Sequence, residues 1–383
     1  MRVNSLSIPL LLSLTWPSTR WELVGVGYIV LFLLVCGIKG LAEIRWLRFP
    51  ALALSLLALL SFLHIFYSGS WYEIVDLVRI LPLAAAALYA RQTNLEQLYT
   101  TFFWLGLASL AAIYLLKFGY FTDFIEALHA RNLEESYGRH SGLFLNVSTL
   151  GIFAMSWFFL AIALLIKRGF ALHFLISILA AIVLLLQSGS KTQLVATACV
   201  VSALGIFRLF RGKLLAAVLT IAVIGTPLFL HTIGAIYLHQ ITKLQGLVEF
   251  GLPAVSSLQA RFHIWWNYGH VWASDPLWVL FGAPKAALDV VGNTYDSDLA
   301  WVLFRYGVFA AVGFAGIVGV AIYRGATTKS PLLPAYLAMV ISCSFIGVMT
   351  AFQIAFFYWL VTFMICLSPS TASVNYYRRV RYT

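Results

Sequence analysis

Few ionisable residues interrupt the apolar runs of this chain, and their spacing is the first guide to its chemistry. Asn293, Asp296, Asp298 and Arg305 come in one stretch, with Asp298 and Arg305 seven apart and so on nearly one face of a helix. Arg261 stands upstream, with Trp265 four residues on. Lys191 closes Gln187-Ser-Gly-Ser-Lys191, and Arg139 and His140 belong to Gly138-Arg-His-Ser-Gly-Leu-Phe-Leu-Asn146. Glu73, Asp76 and Arg79 share one apolar run. Ionisable groups at membrane depth are costly and normally face a protein interior or a wet cavity, which makes these residues the candidates for function. Fixed cations beside a carboxylate suit a substrate that is anionic at one end and carries hydroxyls at the other.

Each candidate also has a structural reading. Asp76 and Arg79, three apart, fit a local ion pair that lets a marginal helix insert. Asp296 with the following Ser297 fits a helix cap. Lys191 alone fits a snorkelling anchor, Arg261 a surface or interfacial charge, and Arg139 with His140 an ordinary basic turn. The chemical reading gains from position, because Arg139, Lys191, Arg261 and Asp296 fall on one membrane side in a topology drawn from other residues.

That topology starts from composition. The 383 residues are 62% hydrophobic and 10% charged, with a net charge of +11, whereas a soluble domain is roughly half apolar and about a quarter charged. The chain therefore reads as a single all-α, polytopic membrane domain over residues 1–383, and its positive charge as a topology signal rather than a nucleic-acid footprint. Twelve helical spans are expected: Ser5–Trp16, Leu23–Ile38, Phe49–Tyr67, Glu73–Ala90, Leu98–Lys117, Val147–Ile166, Leu172–Leu186, Gln193–Phe210, Leu214–His231, Asp298–Tyr323, Ala335–Met349 and Ile354–Cys366. The first is expected to stay uncleaved, since no small-residue cleavage site follows it. Cys36, Cys199, Cys343 and Cys366 lie inside apolar runs without ligand spacing and read as core thiols.

With the N-terminus in the cytoplasm, Lys39, Arg45, Arg48, Arg91, Lys167, Arg168, Arg208, Arg211, Lys213, Arg324, Lys329, Arg378, Arg379 and Arg381 all fall on the cytoplasmic side. Both termini are then cytoplasmic, as the positive-inside bias demands. The outer side receives two long segments, Gly119–Asn146 and Thr232–Ser297. The second is dense in aromatics and is expected to fold, with Val255–Trp272 as an amphipathic helix carrying Leu258, Phe262, Trp265 and Trp266 beside Arg261. No HExxH, GxSxG, paired histidines, phosphate-cradling glycine loop or Asp-rich metal signature is present, so neither a metal nor a cofactor is expected.

The order of these pieces resembles the O-antigen polymerase and O-antigen ligase superfamily of bacterial surface polysaccharide assembly. Arg139-His-Ser-Gly-Leu-Phe-Leu-Asn146 is similar to the family's R-x-x-G-x-F-x-N segment, and Ser188-Gly-Ser-Lys191 to its S-R helix start. Arg261-Phe-His-Ile-Trp265 is similar to the R-x-x-x-W of its large periplasmic loop. Asp296-Ser-Asp-Leu-Ala-Trp-Val-Leu-Phe-Arg-Tyr-Gly307 resembles its helix ending in a glycine, and Pro276-Leu-Trp-Val-Leu-Phe-Gly282 its N-P-x-x-G-x-G turn. Two departures bear on the branch. Ligases carry His where this chain has Asp296, which favours the polymerase branch, and Lys191 stands where relatives commonly have Arg.

The resemblance implies a metal-independent C-type glycosyltransferase of the bacterial inner membrane, joining undecaprenyl-diphosphate-linked oligosaccharides at the periplasmic face. In that reading Arg261, Lys191 and Arg139 stabilise the departing diphosphate, Asp296 orients or deprotonates the acceptor hydroxyl, and His140 is the alternative base. Arg79, Asp298, Arg305 and Trp265 line the substrate cavity. Membrane lipids, a chain-length regulator and a flippase are the accompanying partners. An O-antigen ligase and a lipid-linked oligosaccharide flippase are the competing readings, the latter weakened by the concentration of ionisable groups at one face and the lack of related halves.

Overall fold

The computed structural model describes residues 86, 89–90, 93–118, 142–144, 147–208, 256–284, 287–288, 297–343 and 352–367. Among these there are nine helices and no strand. They are α1 (Leu95–Lys117), α2 (Val147–Arg168), α3 (Leu172–Ser188), α4 (Lys191–Arg208), α5 (Ser256–Ala273), α6 (Pro276–Phe281), α7 (Asp298–Thr327), α8 (Leu333–Cys343) and α9 (Phe352–Leu367). The spans expected at Ser5–Trp16, Leu23–Ile38, Phe49–Tyr67 and Leu214–His231, and most of Glu73–Ala90, lie outside the described residues.

Leu95–Leu115, Val147–Arg168 and Asp298–Thr327 are long and apolar enough to cross a membrane. Four shorter apolar helices lie within α3, α4, α8 and α9. α2 is apolar on every side and 83% of its most apolar window is buried, so it forms the axis of a bundle in which α1, α3, α4, α8 and α9 all pack against it. Aromatic rings bind this core: Phe102 of α1 stacks on Phe153 of α2 at 4.6 Å, meets Phe357 of α9 at 4.7 Å, and Phe144 closes on Phe153 at 4.8 Å. Gly106 lets α1 lie flat on the Trp157 ring, where a Cβ would come within 2.2 Å.

Short connections make neighbouring helices antiparallel. α2 turns into α3 through Gly169, at φ 88°, and α3 into α4 through Gly189, a left-handed C-cap at φ 55°. α7 turns into α8 through residues 328–332. Arg168, Arg208 and Arg324 therefore share one end of the bundle. At that end Arg168 pairs with Glu96 of α1, and Arg324 donates to the Cys366 carbonyl at the close of α9. At the opposite end Ser297 donates to the Cys343 carbonyl at 3.3 Å and ties the start of α7 to the end of α8.

One expectation from composition fails here. Cys199 is exposed on the outer face of α4 and Cys366 is half-buried, whereas Cys343 is buried as a core thiol should be. Val195, 53% exposed, shares the outward face of α4 with Cys199. Where the outward face meets lipid rather than water it is as apolar as the inward one, so hydropathy does not separate the two.

α5, α6 and the first turns of α7 form a second, smaller core. Tyr268, Ala283, Leu288 and Phe304 are buried together, flanked by Trp265, Trp272 and Trp278. The helix expected at Val255–Trp272 is present as α5, but Trp266, expected on its apolar face, stands outward. Pro276–Phe281, expected as a turn by its resemblance, is instead a short helix: Asp275 caps it by accepting from the Leu277 amide at 2.8 Å, and Pro276 takes the first helical position, where no N–H is needed.

Candidate functional site

The candidate site lies where the two cores meet, at the start of α7. Ser297 is the N-cap, its hydroxyl accepting from the Ala300 amide at 3.3 Å. The capping duty that could have accounted for Asp296 is thus filled by its neighbour. Asp298 opens the first turn, where a carboxylate gains from the positive end of the helix. Its side chain is fully buried, as is that of Arg305 two turns on, at 0% and 1% exposure. A rise of about 1.5 Å per residue puts them roughly 10 Å apart along the axis. Between them Trp301 and Val302 face the main core, and Phe304 faces the small one, against Tyr268 and Trp272.

The helix breaks at Gly307, which holds φ 80° and ψ −179°, a conformation essentially reserved for glycine. The break frees the Phe304 carbonyl from its helical partner, and the Ala283 amide takes it at 2.8 Å. Arg305 completes the exchange, donating from Nη1 to the Ala283 carbonyl at 2.9 Å. The two backbones touch: a Cβ on Gly282 would lie 2.1 Å from the Arg305 carbonyl, and one on Gly307 would lie 2.3 Å from the Leu280 carbonyl. Both residues must be glycine for the corner to close. The glycine-terminated helix expected from the sequence is thus present, but it continues beyond its break to Thr327. Residues 308–327 after the break span about 30 Å, the thickness of a bilayer core.

The remaining candidates are placed unevenly. Arg261 lies within α5, one turn before Trp265. Trp265 itself is half-buried in the small core, while the adjacent Trp266 is 68% exposed. Lys191 is the first residue of α4, at the end of the bundle where α7 begins. Arg79, Arg139, His140 and Asp296 lie outside the described residues.

Around Lys191 the segment singled out with it forms a polar corner, which Gln193, outside that motif, completes. Gln187, Ser188, Ser190 and Gln193 are all buried. They close on α2 at Gly151, where a Cβ would sit 3.1–3.2 Å from Ser190, Gln193 and Ser188. Ser190 donates to Gln193 Oε1, and Gln193 Nε2 is buried with no hydrogen-bond partner among the described residues. An unforeseen group lies between α8 and α9. Tyr336 and Tyr358 are fully buried, with their hydroxyls 3.4 Å apart. The Thr362 hydroxyl donates to the Tyr358 carbonyl at 2.8 Å. The only signal in the sequence was polar residues inside apolar runs, which does not say which runs meet.

The arrangement is a buried carboxylate and a buried guanidinium on an interrupted helix, at the end of the bundle opposite Arg168, Arg208 and Arg324. Irregular backbone at membrane depth is tolerated where it is packed in protein or lines a cavity, and broken helices commonly border substrate sites. No protein-family model matches this chain, and no curated protein is significantly similar to it.

Proposed function

We propose that this protein is a polysaccharide polymerase of the bacterial inner membrane, with about twelve spans and both termini in the cytoplasm. It joins undecaprenyl-diphosphate-linked oligosaccharide repeats at the periplasmic face without a metal. The observation that carries this reading is the interrupted helix α7. Its buried Asp298 and Arg305 lie at the end away from the basic turns, with α5 packed against it. The motif order in the sequence supplies the substrate class.

In the proposed reaction an acceptor sugar hydroxyl attacks the anomeric carbon of the donor. The bond from that carbon to the lipid diphosphate breaks, and the diphosphate leaves with the electron pair. Arg261, Lys191 and Arg139 are the fixed cations for the charge that develops there. Asp296 receives or orients the acceptor proton, with His140 as the alternative base. Arg305, held on the Ala283 carbonyl, and Asp298 hold the corner in shape from within. Arg79 and Trp265 complete the proposed substrate lining.

The test is purified full-length protein with a lipid-linked repeat unit and a chelator present. A ladder of products is expected. One product on a different lipid acceptor points to a ligase, and movement of the lipid across vesicles without a new glycosidic bond points to a flippase; either result overturns the reading. Within the ladder assay Arg261→Ala should lose roughly 10²–10³-fold in rate. Arg261→Lys should recover part of it, because a point charge does not replace a planar fork.

A further inference from the structure

The face that α5 turns away from the small core carries His263, Trp266, Asn267 and His270, which helical spacing sets side by side. Both histidines and the Trp266 ring are exposed. An indole left outward among polar neighbours forgoes a large gain from burial, and Trp265, Trp272 and Trp278 of the same segment all pack against the small core. The exposed ring is held in place. His270 meets it nearly at right angles, with ring centroids 4.9 Å apart. Beside them in the stripe Asn267 Nδ2 donates to His263 Nδ1 at 3.1 Å. In a neutral imidazole that acceptance puts the proton on Nε2, so the pair presents a donor at His263 Nε2 and an acceptor at Asn267 Oδ1.

The stripe therefore joins a flat apolar ring to hydrogen-bonding edges, with no carboxylate, lysine or arginine among its four residues. A pyranose has the complementary make-up. Its axial C–H groups form an apolar face, and its hydroxyls both donate and accept around the rim. Such C–H groups are drawn weakly to the electron-rich face of an aromatic ring. A phosphate or an anionic headgroup finds no fixed cation among these residues. Acyl chains find apolar neighbours elsewhere in the segment, on α6, where Leu277 and Leu280 stand outward.

We propose that His263, Trp266, Asn267 and His270 form a sugar-binding platform on the outward face of α5, which takes an uncharged pyranose by stacking on Trp266 and by hydrogen bonds to the His263–Asn267 pair. α5 packs on α7 through its other side, where Tyr268 and Trp272 meet Phe304. The platform is thus about 10 Å, one helix diameter, from the α7 corner. It holds a distal sugar of the glycan and not the one that reacts. That this sugar belongs to the lipid-linked substrate rests on the polymerase reading; the affinity of the platform for sugar does not.

The experiment uses the full-length protein in phospholipid nanodiscs, free of glycoside detergents, and titrates it with the repeat-unit oligosaccharide cut from its lipid, read by saturation-transfer NMR. Transfer should concentrate on the C–H protons of one sugar. Trp266→Ala should weaken binding about tenfold, Trp266→Tyr should keep most of it, and His263→Ala should fall between them. In the ladder assay Trp266→Ala should raise KM by a similar factor at unchanged kcat, as the loss of binding away from the reacting atoms does. No binding by the wild-type protein, or wild-type affinity in Trp266→Ala, overturns the platform. Trp266→Leu keeps an apolar anchor for lipid without the flat ring. Wild-type sugar binding in Trp266→Leu assigns the indole to the membrane interface and overturns the platform equally, and this variant decides if Trp266→Ala does not assemble. Sugar binding that Trp266→Ala weakens, in a protein that makes no polymer, refutes the polymerase reading and leaves the platform standing. A ladder from Trp266→Ala at wild-type KM and affinity does the reverse.

Discussion

α2 and α7 are both long and apolar enough to cross a membrane, yet they are built on opposite plans. α2 runs unbroken through the centre of the bundle, and its polar residues Thr149 and Ser156 are small and buried. α7 is enclosed on several sides at its start, and after the break keeps one buried stripe, Phe314, Ala321 and Gly325, against its neighbours. In its most apolar window 22% is buried, and Phe309, Val312, Val320 and Tyr323 stand outward after the break at Gly307. The two helices show how one composition serves two purposes. An uninterrupted apolar helix supplies rigidity, whereas a helix that is interrupted and charged at one end holds irregular backbone and ionisable groups where they can act.

Adding a methyl group at the break should separate these purposes most sharply. Gly307→Ala meets the Leu280 carbonyl in a conformation alanine rarely adopts, and should cost about 4 kcal/mol or more, with loss of polymer. Thermal unfolding of the purified variant checks the first part, and the ladder assay the second. Wild-type stability in Gly307→Ala would mean that the corner is not closed by backbone contact.

Next in size is Asp296→Asn. Ser297 carries the helix cap, so this change should leave unfolding temperature unaltered while slowing elongation by roughly 10²-fold, within the usual range for a general base. A loss of stability that matches the loss of rate would assign Asp296 a structural duty instead. A smaller effect is expected in the bundle. Gly106→Ala pushes a methyl group into the Trp157 ring and should destabilise by about 1–3 kcal/mol. Activity per folded molecule should be preserved, which distinguishes damage to α2's surroundings from damage to α7. Smallest of all is Glu96→Gln, which removes the exposed pair with Arg168. It should change stability by less than about 0.5 kcal/mol, and less still in high salt.

What could be read from the sequence follows the range of the forces involved. α5 was legible as a helix because Leu258, Phe262 and Trp265 recur at helical spacing, a local pattern, although Trp266 of the same expected face stands outward. Gly307 was legible as a break, but not its partner Gly282, since a close approach between segments 25 residues apart leaves no periodic trace. The motif at Pro276 misled in the other direction. Asp275 followed by Pro276 is a helix-start signature, and the glycine that follows drew the segment toward a turn. Asp298 was singled out as a candidate, but α8 and α9, which pack against α7, are helices that hydropathy describes as uniformly apolar. Cys199 shows the same blindness: in a chain that meets lipid, inward and outward faces share one vocabulary.

The order of synthesis gives the interrupted helix a further meaning. Residues 308–327 are apolar enough to leave the insertion machinery as soon as they are made, but the turns before them bring Asp298 and Arg305 to the membrane early. A charged residue at the centre of an inserting helix costs roughly 2.5–3.5 kcal/mol. Ser297 receives its acceptor, the Cys343 carbonyl, only when α8 has been made, and α9, which also packs against α7, follows later still. Biogenesis of the corner is therefore finished only by helices made after it, and a nascent chain halted after Thr327 presents to membrane quality control an inserted protein in which Arg305 has its Ala283 carbonyl but the start of α7 has no tie to α8.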